Sequence, residues 1–476
     1  MAFTVIKIKL PKHLEPSILP LTFESANIWN KALYLALEQL NEDFLFNLLR
    51  QDTKESKKKF LKFFNSLKTQ IQKVVKSSLL HSQTTQAIID YLIGSIKTAV
   101  KNRFKDKSHN YPSKRNQHII IWKNQAIRFS EDGKRIILPN ARGKEPLIVK
   151  LKKKHLKLLD KWLNQFCGEI KQAVLTKKFG SWVVNLIIKY PDQKQNVDRR
   201  KRLFVDLGEI HPFACYDEPN NQFVLFNGRY IRSLKHKRFK LISIKQKLLA
   251  HKQKGSRRYQ RIENSLNEQI WKVERQLEDL ENKYIKKLLD YCLENKIGTV
   301  VIGDVEGIRE KAKYNKNANR KIHLIWRFRK LVEKIKNKLS TYGVKVVEVS
   351  ERYSTQLCPV CGQKNKTNNR NYKCSKCGFK FHRDFVGSLG IARNFFNLKL
   401  KKGFKFESKL KEKFKLRVFK VDVKKHDILR RETYIGCGFK PPRRRDRHAW
   451  AAIIAITKSW NSFSYSNSSP TAQNGW

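Results

Sequence analysis

Two C-x2-C pairs constrain this chain more than any other feature. They lie in the stretch "CPVCGQKNKTNNRNYKCSKCGFKFHRDF", residues 358–385. Cys358 and Cys361 form one pair, Cys374 and Cys377 the other, with twelve residues between them. Each pair can turn two thiolates toward one tetrahedral centre, and Gly362 and Gly378 follow the second cysteine of each pair, where such turns need a permissive backbone. Four thiolates close the coordination shell, so the spacing predicts a structural Zn2+ with no open position for water. The other cysteines, Cys167, Cys215, Cys292 and Cys437, are scattered singly, as expected in a reducing compartment. Seven residues beyond Cys377 stands Asp384, which makes the ribbon either a DNA-binding module in its own right or an insertion into something catalytic.

Charge narrows the partner. Among 476 residues, 102 Lys and Arg face 41 acidic residues, a formal net charge of +61. Such a field serves no small-metabolite enzyme, whereas a phosphate polymer exploits it through counterion release. Apolar residues make up 40% of the chain, enough for several cores, which excludes a disordered tail protein. The opening "MAFTVIKIKLPKHLEP" lacks a signal-peptide core, and no uncharged run reaches the roughly 18 residues of a spanning helix, so no membrane role is expected.

In the first residues Ile6, Ile8 and Leu10 alternate with Lys7 and Lys9, the pattern of a half-buried strand. A helix follows on Ala26, Trp29, Leu33, Leu37 and Leu40. The Lys-rich "TKESKKKF" reads as a separator before two more helices, giving a helical block over about 20–105. From 117 the runs "HIIIW", "AIRFS", "KRIILP", "PLIVKLK" and "SWVVNLIIKYP" read as strands, with "SEDGK" as a hairpin turn. The first strand is therefore expected to pair with this later β block, enclosing the helices. Residues 192–202 read as a linker. Short strands at 203–207, 211–217 and 222–227 follow, then long helices near 233–253 and 257–296, and apolar strands in "GTVVIGDV" and "VKVVEVSE".

That order is the order of a ribonuclease-H-like α/β sheet, whose parallel strands end at one edge. Asp206 is the only charge in an otherwise apolar strand, and a buried carboxylate is costly unless paired or metal-bound. Phe385, Leu389, Ala392 and Phe396 repeat at helical spacing, so Asp384 opens a helix that packs back on the sheet and reaches the same edge as Asp206. Each acid also has a plain reading: a helix-dipole charge for Asp384, a satisfied buried group for Asp206. Carboxylates converging there suit two divalent ions about 4 Å apart, the arrangement that hydrolyses phosphodiesters.

The motifs "VDLGEIHP", "VVIGDVEGIRE", "IWRFRKL", "VEVSERYSTQLCPVCG" and "HRDFVGSLGIARN", over roughly residues 200–397, resemble the TnpB family of transposon-encoded RNA-guided DNA endonucleases, relatives of the type V CRISPR effectors. The resemblance implies a multidomain α/β chain. A β-barrel-like wedge domain would occupy 1–18 and 116–195, with an inserted helical recognition domain at 19–115. A RuvC-type nuclease would follow over 196–351 and 382–400, interrupted by a four-cysteine zinc ribbon at 352–381, and 401–476 would be a basic extension with a disordered end. It also implies Mg2+ or Mn2+ at the nuclease site, a guide RNA from the transposon end, double-stranded target DNA, and a prokaryotic, cytoplasmic, nucleoid-associated setting.

Here the chain departs from the family pattern: Gly303 stands where many relatives carry a catalytic Glu at the strand end. Either the nuclease is damaged or the carboxylate has moved, and Glu351, ending the neighbouring parallel strand, is the expected replacement. Asp206, Glu351 and Asp384 are thus the expected principal ligands, with Asp304 a fourth and Glu306 and Glu310 less well placed. Arg257, Arg258 and Arg261, near a helix start, are candidate phosphate clamps, or simply a solvated charged face. Tyr353, Tyr372, Phe379 and Phe381 suit either base stacking or ribbon packing. The competing functions are an RNA-guided DNA-binding protein with an inactive nuclease and a non-catalytic DNA-binding accessory of transposition.

Overall fold

Ile6 and Ile8 are buried while Lys7 and Lys9 face outward, and this alternation makes Ala2–Lys9 (β1) the first strand of the computed structural model, which describes residues 2–304, 328–365, 370–399 and 414–435. Two units organise the chain: residues 1–194 with 240–274, and residues 195–239 with 275–476.

In the first unit β2 (Ile120–Lys123), β3 (Arg128–Phe129), β4 (Arg135–Leu138), β5 (Leu147–Lys150), β6 (Glu169–Lys178) and β7 (Ser181–Tyr190) follow β1. They form a four-stranded sheet in the order β1-β7-β6-β2 and a three-stranded sheet in the order β3-β4-β5. β1 does return to the later β block, antiparallel to β7 from Ala2↔Tyr190 to Lys9↔Val183. Between β1 and β2 lie four helices, Glu15–Glu38, Glu42–Gln51, Lys54–Val74 and Ser82–Lys105. The run "TKESKKKF" is no separator. Thr53 caps the third helix, its Oγ1 accepting from the Ser56 N–H at 3.0 Å, and the lysines fill its first turns as good helix formers. Asn41 caps the second helix in the same way, its Oδ1 accepting from the Phe44 N–H at 3.0 Å. One continuous apolar core runs through helices and sheet alike, from Trp29 and Leu92 to Trp122 and Leu186. The expected division at residues 18 and 115 therefore separates no independent cores.

In the second unit β8 (Asp198–Asp206), β9 (Phe213–Asp217), β10 (Gln222–Asn227), β11 (Ile297–Asp304), β12 (Lys345–Ser350), β15 (Phe414–Asp422) and β16 (Asp427–Ile435) form one sheet in the order β12-β11-β8-β9-β10-β15-β16, and β13 (Asn371–Lys373) pairs with β14 (Lys380–His382) in the ribbon. β8, β11 and β12 are mutually parallel, with Ile302 opposite Val205 and Asp304 opposite Ser350. Their carboxyl ends therefore share one edge. The expected linker at 192–202 is strand from Asp198 onward, because β8 extends to pair with Ile297 and Thr299 of β11.

Residues 414–435 correct a second expectation. Assigned to a basic extension, they instead add β15 and β16 to the sheet, β15 running parallel to β10 from Phe223↔Leu416 to Asn227↔Lys420. Arg417 fastens this addition: its guanidinium lies 4.9 Å from the Tyr291 ring and bonds Glu432 at 2.8 Å and Glu294 at 3.1 Å. Tyr291, in the helix Arg257–Glu294, in turn donates to buried Asp217 of β9 at 2.5 Å. The rest of the expected extension, with Glu306 and Glu310, lies outside the described residues. The helix Arg383–Lys399 covers the sheet through Phe385, Val386, Leu389 and Ala392, packed with Phe204 and Val301.

Candidate metal and nuclease site

Three acids expected to meet at the strand ends do interact. Asp206 ends β8, Glu351 directly follows β12, and Asp384 lies in the first turn of the helix Arg383–Lys399. Burial lifts the Asp206 carboxyl well above the ordinary carboxylate range, and Glu351 and Asp384 repel it further, against the pull of Arg383. Burial also lifts Glu351, to about 7, with repulsion from Asp304 at the end of β11 adding to the rise. Asp384 goes the other way. Burial opposes its charge, but the His211 hydrogen bond and the neighbouring His382, His211 and Arg370 hold it down to about 2.

The gap at Gly303 is filled. A Cβ built on Gly303 would lie 2.6 Å from Glu351 Cδ, and closer still to Cγ and Oε1. The space that a side chain at 303 would need thus belongs to the Glu351 carboxyl. Gly387 plays a parallel part in the covering helix, where a Cβ would stand 2.6 Å from both Cγ and Oδ2 of Asp206. Glu351 Oε1 is buried with no hydrogen-bond partner. Acids that cannot ionise together without help, one with an orphaned oxygen, are a hard-oxygen donor set fitted to divalent cations.

Sequence reasoning missed three neighbours of this set. His211 lies in the loop between β8 and β9 at 2% exposure, its Nδ1 2.6 Å from Asp384 Oδ2. Arg370, just before β13, donates to the same oxygen at 3.1 Å. His382, pushed down to about 4 chiefly by burial, accepts from the Asp384 N–H at 3.3 Å. The available signals were the histidines within "GEIHP" and "HRD", polar residues beside both acids.

In the ribbon, Sγ of Cys358 lies 3.6 Å from that of Cys377, and Sγ of Cys361 lies 3.5 Å from that of Cys374. About 3.8 Å separates ligands around a tetrahedral zinc with bonds near 2.3 Å, so the four sulfurs can hold the ion. Gly362 and Gly378 adopt φ of 73° and 70°, the left-handed turns anticipated after each pair. Backbone N–H groups of Val360 and Cys361 point at Cys358, and those of Lys376 and Cys377 at Cys374. Tyr372, Phe379 and Phe381 are fully buried and pack the ribbon on the sheet, so none is free to stack on a base. Tyr353 is exposed, with Lys364 Nζ 4.6 Å from its ring centroid.

Arg257, Arg258 and Arg261 are not part of the carboxylate set. They stand exposed at the start of the helix Arg257–Glu294, within the first unit. No helix among the described residues is long and apolar enough to cross a membrane.

Comparisons with known proteins agree with this geometry. A family model described as a probable transposase, OrfB_IS605, matches residues 185–309, and one described as a Cas12f1-like TNB domain matches residues 328–391. The CRISPR-associated endodeoxyribonuclease Cas12f1 of an uncultured archaeon is 27% identical over 239 residues, 47% of this chain and 44% of that protein. A TnpB-like protein of Methanocaldococcus jannaschii is 26% identical over 183 residues, 37% of this chain and 65% of the relative. The match thus spans less than half of the Cas12f1 relative. A Cas12f1 structure solved with sgRNA and target DNA superposes with a TM-score of 0.51 at 17% identity, over 80% of this chain and 83% of that one, a likeness of fold.

Proposed function

The chain is a TnpB-family relative of the type V effector nucleases, and on that basis we propose that it is an RNA-guided DNA endonuclease that hydrolyses phosphodiesters at the edge formed by Asp206, Glu351 and Asp384. The observation that carries this reading is the exchange at Gly303: the Glu351 carboxyl stands in the volume of the missing side chain, close enough to Asp206 to raise its pKa. A damaged site would have no reason to keep a buried, orphaned carboxylate there. This favours an active nuclease over the DNA-binding alternatives.

Bound Mg2+ or Mn2+ would supply an activated water and a stabilised leaving oxygen. The chain's own residues prepare for that. Gly387 lets the covering helix close on Asp206, excluding bulk water. His211 and Arg370 hold one oxygen of Asp384, which fixes its orientation. Asp304, at half-exposure on the strand end, is the fourth candidate ligand. The four cysteines would carry Zn2+ and act structurally. A guide RNA from the transposon end would select double-stranded target DNA by base pairing, the protein reading backbone and shape, and a net charge of +61 suits both partners. Arg257, Arg258 and Arg261 are proposed contacts to nucleic-acid phosphates. By the same resemblance, the strand-rich and helical parts of the first unit would act as wedge and recognition elements.

Sequencing of RNA copurified with the protein, followed by Mg2+-dependent cleavage of a matched duplex, tests the proposal. Glu351→Gln should lower the cleavage rate by about 100-fold or more while leaving RNA binding intact. Undiminished cleavage by that variant would remove Glu351 from the site.

A further inference from the structure

His211, His382 and Asp384 each offer one ligand atom, all within 4.8 Å of one another. The two imidazoles are 2% and 5% exposed, with ring centroids 5.6 Å apart. Nuclease sites built from carboxylates alone give no reason to bury two histidines beside the acid. The hydrogen bond between His211 Nδ1 and Asp384 Oδ2, at 2.6 Å, places the proton on Nδ1 and leaves the lone pair on Nε2. That Nε2 is buried without any hydrogen-bond partner. A carboxylate holding one nitrogen of a histidine whose other nitrogen is unsatisfied is the usual arrangement of a metal-binding imidazole.

We propose that His211 and His382 join Asp384 as nitrogen ligands to one of the divalent ions, so that this site prefers a transition metal such as Mn2+ to Mg2+. Imidazole suits Mn2+ and the later first-row metals, whereas Mg2+ favours oxygen and gives up its waters reluctantly. Arg370 is the one charged group in hydrogen-bond reach of both Asp384 and His211 among the described residues, at 3.1 and 3.5 Å. Its side chain is 46% exposed, so it can swing away when a cation arrives. The inference rests on the nuclease reading of the same edge but assigns ligands that the reading does not need.

Pulsed electron paramagnetic resonance on the full chain loaded with its RNA and substoichiometric Mn2+ tests it. Nitrogen modulation is expected from the bound ion, and it should change isotope when the protein carries 15N-histidine, which separates protein from RNA nitrogen. His211→Gln and His382→Gln should each reduce the modulation and lower the Mn2+ over Mg2+ binding preference by about tenfold or more. Arg370→Gln, which removes the competing cation, should retain both. Mn2+ bound in an Asp206-dependent manner with no histidine modulation would overturn the inference and leave the nuclease reading standing. Failure of the wild-type chain to bind Mn2+ at all would remove both. The wild-type measurement decides even if a histidine variant does not fold.

Discussion

Gly387→Ala isolates the contact on which the site's geometry depends. In a helix interior, alanine exceeds glycine by about 0.5–1 kcal/mol, so at an open position this change stabilises. Here the new Cβ would stand 2.6 Å from Asp206 Cγ and Oδ2 and 3.0 Å from Oδ1, against ordinary contact from 3.4 Å. The carboxyl must yield by about 0.8 Å, because the helix is pinned by buried Phe385, Val386 and Leu389 and β8 lies inside the sheet. Overpacking of that kind costs about 1–3 kcal/mol, which outweighs the propensity gain and leaves a net loss of about 1–2 kcal/mol. In an Asp206→Ala background the clashing atoms are gone, and the same change should stabilise by its full helical gain. The coupling between the two positions is then about 2 kcal/mol, within the range for residues in contact. Melting temperatures in chelator read it out, at roughly 2–4 °C per kcal/mol for a unit of this size. In parallel, displacement of a catalytic group by about 1 Å should cost about 100-fold in cleavage rate. If Gly387→Ala raises the melting temperature equally in both backgrounds and cleaves normally, the helix does not close on Asp206 and the proposed site geometry fails.

Two further predictions concern the frame around the site. Glu432 is held down to about 2 by hydrogen bonds from Lys415 and Arg430 and by Arg417. A depressed acid stabilises fully above its unfolded pKa and loses that contribution as pH falls, so the sheet edge should weaken from about pH 4.5 toward pH 2. Glu432→Gln should flatten acid unfolding in that window and cost about 1.5–3 kcal/mol at neutral pH through the half-unpaired Arg417; an unchanged acid limb would refute the assignment. Trp122→Ala removes a fully buried ring whose Nε1 donates to Pro139 O at 2.9 Å, a loss of about 3–5 kcal/mol. Because one core joins helices and sheet, hydrogen exchange should accelerate together in β2 and in the helix Ser82–Lys105; acceleration confined to the strands would restore a separate helical domain.

The catalytic edge was legible because its signals are local. A lone aspartate in an apolar strand, a second aspartate opening an amphipathic helix, and a glutamate ending a strand each stand out within a few residues. The topology was legible for a related reason: β8, β11 and β12 read as nearly continuous apolar runs joined by helices, which forces parallel pairing. β15 escaped because the Lys-rich stretch before it suggested an extension. Yet Phe414, Leu416, Val418, Phe419 and Val421, all buried, show a strand's spacing within the lysines and arginines of "FKLRVFKVD". The aliphatic stems of such residues can cover a sheet edge, so composition was a poor guide to burial there.

The histidines and Arg370 were illegible for a different reason. Their partner lies 173 residues away from His211, and the third member sits at the base of a metal-binding ribbon whose path no periodicity specifies. Sequence spacing could place the ribbon between β12 and the covering helix but could not say which of its residues returns to the site. The structure answers with Arg370, one residue before β13, so the zinc-binding turn does more than hold its own fold. By fixing the β13–β14 pair at Asn371↔His382, it places Arg370 and His382 on the same acid. The insertion of the ribbon at this point in the chain is therefore best understood as part of the site's construction: the thiolates set the register of a hairpin, and the hairpin sets what surrounds Asp384.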